Sequence, residues 1–276
     1  MAARQWWQER LYPAVAQGLL LETVYETRSR YQHIVIAQHE VLGKVLILDG
    51  VVQISETDAC VYQEMMAHIP LMGLAEPARR VLIVGGGDGA IAREVLRHPE
   101  VQKVVMVELD QVVVEACRSL MPGICCDYAD PRMELVIQDA AEYVQHAPDG
   151  QFDAVIVDSP DPIGPAEVLF STDFYTDIRR IMSARGGAVF QSGVPFYQKE
   201  ETARIGQRLR QLFSQVRVYQ ASVPTYIGGA MALTLASNDA HDFSHPRADF
   251  TGRYYNAALH AGAFALPTWW QEELLG

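Results

Sequence analysis

The chain has 276 residues, of which 49% are hydrophobic and 20% charged, a composition typical of a globular protein with a sizeable core. Its 22 Lys and Arg against 34 Asp and Glu give a formal charge of −12, which disfavours non-specific binding to nucleic acid or anionic membranes and suits a cationic substrate. The sequence has no apolar run of about 18 residues and no signal-like start, so we expect a soluble cytoplasmic protein.

Four cysteines are present: Cys60, Cys117, Cys125 and Cys126. They lack CxxC spacing and histidine-rich surroundings, which favours reduced structural thiols and predicts no metal site. The adjacent pair Cys125 and Cys126 leaves a redox role open.

The first 56 residues are typical of β-structure. Short β-prone runs occur at Leu21–Arg28, Tyr31–Ala37 and Val41–Leu48. Asp49-Gly50 then separates two apolar runs, which is a strong hairpin signal. We expect a small N-terminal β domain over residues 1–56.

The periodicity changes after residue 56. Apolar residues recur at helical spacing over Val61–Ile69, with Asp58 as a candidate N-cap. Strands are then predicted at Val81–Val84, Lys103–Val107, Glu134–Ile137, Phe152–Val157, Ala188–Gln191, Val216–Ala221 and Met231–Ala236. Helices are predicted at Ala90–His98, Asp110–Met121, Ala140–Gln145, Thr172–Met182 and Glu200–Phe213. This alternation predicts a parallel sheet covered on both faces, within a second domain over residues 57–276.

A glycine-rich turn follows the first strand of this α/β region. The segment Gly85-Gly86-Gly87-Asp88-Gly89-Ala90 has the pattern G-x-G-x-x-A, which lets a ligand approach the backbone. Glu108 ends the next strand, 20 residues after Asp88, where an acid can accept hydrogen bonds from ribose hydroxyls. Asp88 would repel a pyrophosphate and attract a sulfonium or ammonium, so we expect an adenosyl sulfonium rather than a dinucleotide. Asp139 can hydrogen-bond the adenine amino group or cap the next helix, and it can do both.

Two acids follow the fourth strand of the region. Asp158 and Asp161 lie in a segment stiffened by three prolines, at the strand end where open α/β sheets bind ligands. An alkylamine has a pKa of about 10.4 and attacks only when unprotonated. A carboxylate can bind the ammonium and take its proton as attack proceeds, which favours catalysis on an amine, and two close negative charges favour a dication. A turn or capping role for both acids is the alternative.

Several strings around these residues resemble those of spermidine synthases, the polyamine aminopropyltransferases of bacterial type. They are YQHIVIAQHEVLGKVLILDGVVQISETD, VYQEMMAHIPL, GGGDGAIAREVLRH, VELD, DSPDPIGPAEVLFSTDFY, PTYIGG and YYNAALHAGAFALP, spanning roughly residues 5 to 271. The resemblance implies a Rossmann-like, seven-stranded methyltransferase-type sheet. It also implies transfer of the aminopropyl group of decarboxylated S-adenosylmethionine to putrescine, giving spermidine and 5′-methylthioadenosine in polyamine biosynthesis. No permanently bound cofactor is expected, and the β region would assemble a homodimer or homotetramer.

The resemblance also implies roles for particular residues. The co-substrate would be bound by Gln32, Gly85, Gly87, Asp88, Glu108, Asp139, Ala140 and Pro165. Asp158 would be the general base, with Tyr62 and Asp161 as catalytic partners. The amine would be bound by Tyr62, Gln63, Asp88, Asp158, Asp161 and Tyr226. Gln63 stands where many bacterial members have His, so amine specificity is less determined than reaction class.

Two other classes of protein fit parts of this pattern. A methyltransferase shares the fold and the sulfonium cofactor, but Asp88 would oppose the carboxylate of S-adenosylmethionine. A non-enzymatic polyamine- or nucleoside-binding module would be expected to lack Asp158 or Tyr62, and both are present. Release of methylthioadenosine rather than S-adenosylhomocysteine would identify the aminopropyltransferase.

Overall fold

The structure is a computed structural model that describes residues 4–12, 14–159 and 164–275. The chain starts with a five-stranded antiparallel sheet whose strands follow one another in chain order: β1 Gln5–Glu9, β2 Gln17–Arg28, β3 His33–His39, β4 Gly43–Leu48 and β5 Val51–Ser55. Asp49 and Gly50 form the β4–β5 turn with positive φ angles of 46° and 91°, so the predicted hairpin is confirmed. The boundary between two domains at residue 56 stays a prediction.

A seven-stranded sheet forms the larger part of the molecule. Its strands are β6 Arg80–Gly85, β7 Lys103–Glu108, β8 Met133–Ile137, β9 Phe152–Asp158, β10 Met182–Gln191, β11 Gln215–Ser222 and β12 Ala230–Ser237. The order across the sheet is β11-β12-β10-β9-β6-β7-β8, with β12 antiparallel to both of its neighbours. The order reverses between β6 and β9, and such a switch point opens a crevice at the strand ends. The predicted fold class, a Rossmann-like sheet of methyltransferase type with an N-terminal β unit, is confirmed.

Helices cover both faces of this sheet. They are α1 Ala59–Gly73, α2 Ala90–Leu96, α3 Gln111–Leu120, α4 Ala140–His146, α5 Thr172–Ile181, α6 Pro195–Leu212, α7 Ala257–Ala263 and α8 Thr268–Leu274, with a short 3₁₀ helix at Gly164–Phe170. Alternate residues of β6 pack on opposite sides: Val81 and Ile83 join the core under α1 and α2, whereas Leu82 and Val84 join the core under α5 and α6. Burial on both faces explains why the strand is apolar at every position.

The structure differs from the sequence prediction at the N-termini of α1 and α6. Asp58 occupies the N-cap position of α1, but its side chain makes no cap hydrogen bond. It accepts instead from Ser55 Oγ at 2.6 Å and from Thr225 Oγ1 at 2.7 Å, so it ties the end of the β5 strand to the β11–β12 connection. Helix α6 has a first turn that begins at Pro195, since proline fits the first turn of a helix. Gln198 then has non-helical φ and ψ angles of −127° and 33°, so the continuous part of the helix follows this kink, close to the predicted start at Glu200.

Four elements have no counterpart in the prediction: β1, the 3₁₀ helix at Gly164–Phe170, α7 and α8. The last two cover residues beyond the final predicted strand, and the buried Trp270 anchors α8. Among the described residues, no helix is both long and apolar enough to cross a membrane.

Candidate active site

A cavity of about 480 Å³ lies at the carboxyl ends of β6, β7 and β9. The N-terminal sheet closes one side of it through Leu46, Leu48 and Val51, and the 3₁₀ helix contributes Val168 and Leu169. Eight residues predicted for the site line this cavity: Gln32, Gly85, Gly87, Asp88, Glu108, Asp139, Ala140 and Asp158. The fold therefore brings together residues that are separated by more than a hundred positions in the chain.

The glycine turn after β6 permits close approach of its neighbours. Gly85 has a φ of 78°, and a Cβ there would lie 2.1 Å from the carbonyl oxygen of Asp158. A Cβ on Gly87 would lie 2.9 Å from Glu108 Oε2. Because both positions lack a side chain, the acids at the ends of β7 and β9 can converge on the turn that holds Asp88.

Three recessed carboxyl groups, those of Asp88, Glu108 and Asp158, face the cavity and are otherwise surrounded by protein. Desolvation raises the pKa of Asp88 to about 6 and, together with the nearby Asp110 and Asp88 charges, raises the pKa of Glu108 to about 7. Desolvation and the charge of Asp88 raise the pKa of Asp158 to about 7, although the hydrogen bond from Tyr62 opposes the shift. Like charges held together at low solvation favour a cationic ligand, which would lower all three pKa values.

Tyr62 on α1 donates a hydrogen bond to Asp158 Oδ1 at 2.7 Å. Desolvation, with the Asp158 charge, raises the pKa of Tyr62 well above its usual value, so the hydroxyl keeps its proton. The ring of Tyr226 packs edge-on to Tyr62 at a centroid distance of 5.9 Å, and its hydroxyl donates to the carbonyl of Gln53 at 2.8 Å. The two tyrosines therefore form a cluster with the predicted base.

Gln63 is not among the residues that line the 480 Å³ cavity. Gln63 follows Tyr62 on α1, a rotation of about 100° around the helix axis, and its side chain lines a separate cavity of about 310 Å³. Its Oε1 is buried without a hydrogen-bond partner in the described part of the chain. Its role in binding the amine stays a prediction, as do the roles of the other site residues.

Two of the predicted site residues have side chains that the structure does not describe. Asp161 lies outside the described residues, as does the side chain of Pro165. Asp139 is described, and its Oδ1 accepts from the backbone N–H of Ala141 at 2.8 Å while the residue also lines the cavity. Its capping role in α4 is therefore present and is compatible with contact to a ligand.

Sequence reasoning missed two residues that shape the site. Asp110 accepts hydrogen bonds from Ser29 and from Gln32, and so joins the end of β7 to the N-terminal sheet. Gln53 lines the cavity and holds Tyr226 through its carbonyl group. Asp110 was visible as the last residue of VELD, but its partners are about 80 positions away and carry no local signal.

All four cysteines are free, and Cys125 lies beside the glycine turn with its Sγ 3.0 Å from the carbonyl oxygen of Asp88. Desolvation and the Asp88 charge raise the pKa of Cys125 to about 12, and desolvation raises that of Cys126 to about 11. Thiols that stay protonated are poor nucleophiles, which supports a structural role.

The sheet order and the acidic cavity at its switch point define an α/β protein of methyltransferase-type fold with a site suited to a cationic ligand. Comparison with known proteins is more specific. Residues 59–245 match the spermine/spermidine synthase domain, and residues 5–56 match the spermidine synthase tetramerisation domain. The chain belongs to the spermine/spermidine synthase family and is an aminopropyltransferase.

Relatives and solved structures agree over nearly the whole chain. The polyamine aminopropyltransferase of Serratia proteamaculans is 43% identical over 97% of this chain and 96% of its own, and polyamine aminopropyltransferase 1 of Pseudomonas aeruginosa is 43% identical over 95% and 94%. A spermidine synthase crystallised with the transition-state analogue AdoDATO superposes with a TM-score of 0.92, at 32% identity over 99% of this chain and 97% of that one. The spermidine synthase of Thermotoga maritima gives 0.91, at 32% identity over 99% and 96%.

Proposed function

We propose that this enzyme transfers the aminopropyl group of decarboxylated S-adenosylmethionine to putrescine, forming spermidine and 5′-methylthioadenosine. The observation that carries the proposal is the set of three recessed carboxyl groups around the glycine turn, with pKa values raised to about 6 or 7. A positively charged ligand stabilises the ionised form of these carboxyl groups, and both substrates carry positive charge.

The nucleoside half of the co-substrate fits the part of the cavity at β7 and α4. Glu108 and Gln32 offer acceptors for ribose hydroxyls, and Asp139 with Ala140 lies where the adenine would be held. Leu46, Leu48 and Leu169 supply apolar walls for the ring. Asp88, in the glycine turn, would meet the aminopropyl ammonium.

Asp88 also bears on the choice between sulfonium compounds. S-adenosylmethionine carries a carboxylate that the decarboxylated compound lacks, and a second carboxylate beside Asp88 would be repelled in a poorly solvated site. The same charge argues against a methyltransferase. The spermidine synthase in complex with the transition-state analogue AdoDATO supports aminopropyl transfer in this family.

The chemistry is a nucleophilic displacement at carbon. The amine nitrogen forms a bond to the aminopropyl carbon next to sulfur, the C–S bond breaks, and its electron pair neutralises the sulfonium. The proton lost by the amine goes to Asp158. Tyr62 donates to Oδ1 of Asp158, which fixes the carboxylate and leaves its Oδ2 for the amine.

Putrescine is proposed as the amine because a second acid, Asp161, follows the base by three residues and would bind the distal ammonium. A site with an acid at each end selects for the distance between two ammonium groups. One extra methylene in a fitted pocket is worth roughly 10–200-fold in kcat/KM. Cadaverine should therefore be a poorer substrate, and butylamine poorer still because it leaves Asp161 unpaired.

A product assay with a panel of amines tests the proposal. The enzyme is incubated with decarboxylated S-adenosylmethionine and putrescine, cadaverine, agmatine, spermidine or butylamine, and the nucleoside and polyamine products are identified by mass spectrometry. Methylthioadenosine and spermidine should form fastest with putrescine. More efficient use of agmatine or spermidine would overturn the choice of amine, and release of S-adenosylhomocysteine from S-adenosylmethionine would overturn the reaction.

We also propose that the N-terminal sheet assembles the enzyme into a homodimer or homotetramer. The match of residues 5–56 to a tetramerisation domain supports this assembly. Trp6 on the edge strand β1 is 72% exposed and Val24 on β2 is 47% exposed, which leaves apolar surface available on this sheet. Light scattering of Trp6→Lys against the parent, with Phe196→Lys as an exposed control elsewhere, should show smaller particles for the first variant alone.

A further inference from the structure

We infer that Asp110 is a positioning residue that makes Gln32 present its amide oxygen to the nucleoside in the cavity. The inference rests on the proposed function, since it names a residue that acts on the nucleoside through Gln32. Asp110 lies at the start of α3, only 2% exposed, between the end of β7 and the N-terminal sheet.

Both carboxylate oxygens of Asp110 are engaged. Oδ1 accepts from the backbone N–H of Val112 at 3.1 Å and so caps α3. Oδ2 accepts from Ser29 Oγ at 2.6 Å and from Gln32 Nε2 at 2.9 Å. The side chain makes three hydrogen bonds as an acceptor and none as a donor, which is the pattern of a carboxylate.

This pattern determines the orientation of the Gln32 amide. A carboxylate can receive a hydrogen bond only from the NH₂ end, so Oε1 must point away from Asp110. Gln32 lines the cavity, and no donor among the described residues bonds its Oε1. Gln32 therefore offers the cavity an acceptor, which suits a ribose hydroxyl and does not suit a phosphate or carboxylate oxygen.

Asp110 also seats the turn that carries Gln32. Ser29 Oγ accepts from the backbone N–H groups of Tyr31 and Gln32 at 3.0 and 3.1 Å, so its own hydrogen is free to bond Asp110. The backbone N–H of Asp110 donates to Glu108 Oε1 at 2.8 Å. One residue thus positions both acceptors, Gln32 and Glu108, for the two hydroxyls of a ribose.

The first test is Asp110→Asn, with methylthioadenosine as the titrated probe. Asn caps helices about as well as Asp, so the melting temperature should stay close to that of the parent. The new amide places a donor opposite Gln32 Nε2, and Gln32 must turn its NH₂ group toward the cavity. The Kd for methylthioadenosine should rise roughly 10- to 100-fold, and the KM for the amine should change little.

A second substitution separates this role from a structural one. In the Asp110→Asn background, Gln32→Glu introduces a carboxylate that accepts from the amide at position 110 and still presents an oxygen to the cavity. The double variant should recover most of the lost affinity. Gln32→Glu alone sets two carboxylates against each other and should bind methylthioadenosine at least about tenfold more weakly at pH 8.

Asn256→Ala is the control for loss of a helix cap far from the cavity, because Asn256 Oδ1 accepts from Leu259 N at 2.9 Å at the start of α7. It should lower the melting temperature and leave the Kd unchanged. An Asp110→Asn variant that binds within about twofold of the parent, or a double variant no tighter than Asp110→Asn, would overturn the inference. If the parent itself neither binds nor produces methylthioadenosine, the proposed function fails instead.

Discussion

Binding of decarboxylated S-adenosylmethionine should release about one proton per site at pH 7. At that pH, groups with pKa values of about 7 are half protonated and one with a pKa of about 6 is about one-tenth protonated. Glu108, Asp158 and Asp88 therefore hold about one proton together in the empty cavity. A ligand with a sulfonium and an ammonium charge favours the ionised form of each group, so the shared proton leaves.

Calorimetric titrations in buffers with different ionisation enthalpies measure this proton directly. The observed binding enthalpy should vary linearly with the buffer's ionisation enthalpy, with a slope equal to about one released proton at pH 7, falling to nearly zero by about pH 9. Methylthioadenosine is the matched control, since it carries no positive charge and, in the proposed binding mode, would bond chiefly to Glu108 among the three. It should release only about half a proton.

A slope of zero at pH 7, or a slope showing proton uptake, would refute the reasoning. Either result would mean that the three carboxyl groups are already ionised in the empty enzyme and that desolvation does not control them. Equal slopes for the two ligands would assign the released proton to Glu108 alone. Asp158 and Asp88 would then not contribute to the proton release.

Three further predictions concern single acids of the cavity. Asp158→Asn should lower kcat by about 10²–10⁴ while methylthioadenosine still binds, with partial rescue at high pH where more amine is free; activity within about twofold of the parent would exclude Asp158 as the base. Glu108→Gln should lose hydrogen bonds to a charged acceptor, each worth about 1.5–3 kcal/mol. In steady-state kinetics the KM for decarboxylated S-adenosylmethionine should rise far more than the KM for the diamine. The opposite result would count against the role of Glu108 in binding the ribose. Asp88→Asn should raise the melting temperature of the ligand-free enzyme at pH 8. Folding raises the pKa of Asp88 from 3.8 to about 6, so the ionised carboxylate destabilises the folded state increasingly as pH rises from about 4 to above 6. A lower melting temperature for the variant would contradict this sign.

The elements that the sequence predicted well are those whose local pattern determines their burial. Strands such as β6 are apolar at every position because both faces are covered, and the Asp49-Gly50 turn admits few backbone conformations. The strand β1, QWWQE, carries only two apolar residues, and pairing with β2 rather than its own pattern makes it a strand. The short helices α7 and α8 likewise depend on packing against distant parts of the chain.

The candidate site likewise combines residues that a local sequence pattern predicts with contacts that depend on the tertiary structure. Glycine spacing and acids at strand ends were sufficient to predict Asp88, Glu108 and Asp158, because parallel strands present their carboxyl ends at one edge. The hydrogen bonds around them have no local sequence signal: Tyr62, which only the family resemblance implied, meets Asp158 across 96 positions, and Gln32 meets Asp110 across 78. Such pairs exist only once the tertiary structure has formed.

The position of the cavity between the N-terminal sheet and the switch point has a consequence for folding. Its lining joins Leu46 and Gln53 from the first sheet to Asp88 and Asp158 from the second, so the nucleoside pocket is completed only when the two sheets have docked. A nucleoside bound in the proposed way would contact both sheets and slow their separation. Amide hydrogen exchange in β3, β4 and β6 should slow together on binding, although these strands lie in different sheets, because opening either sheet would first have to release the ligand.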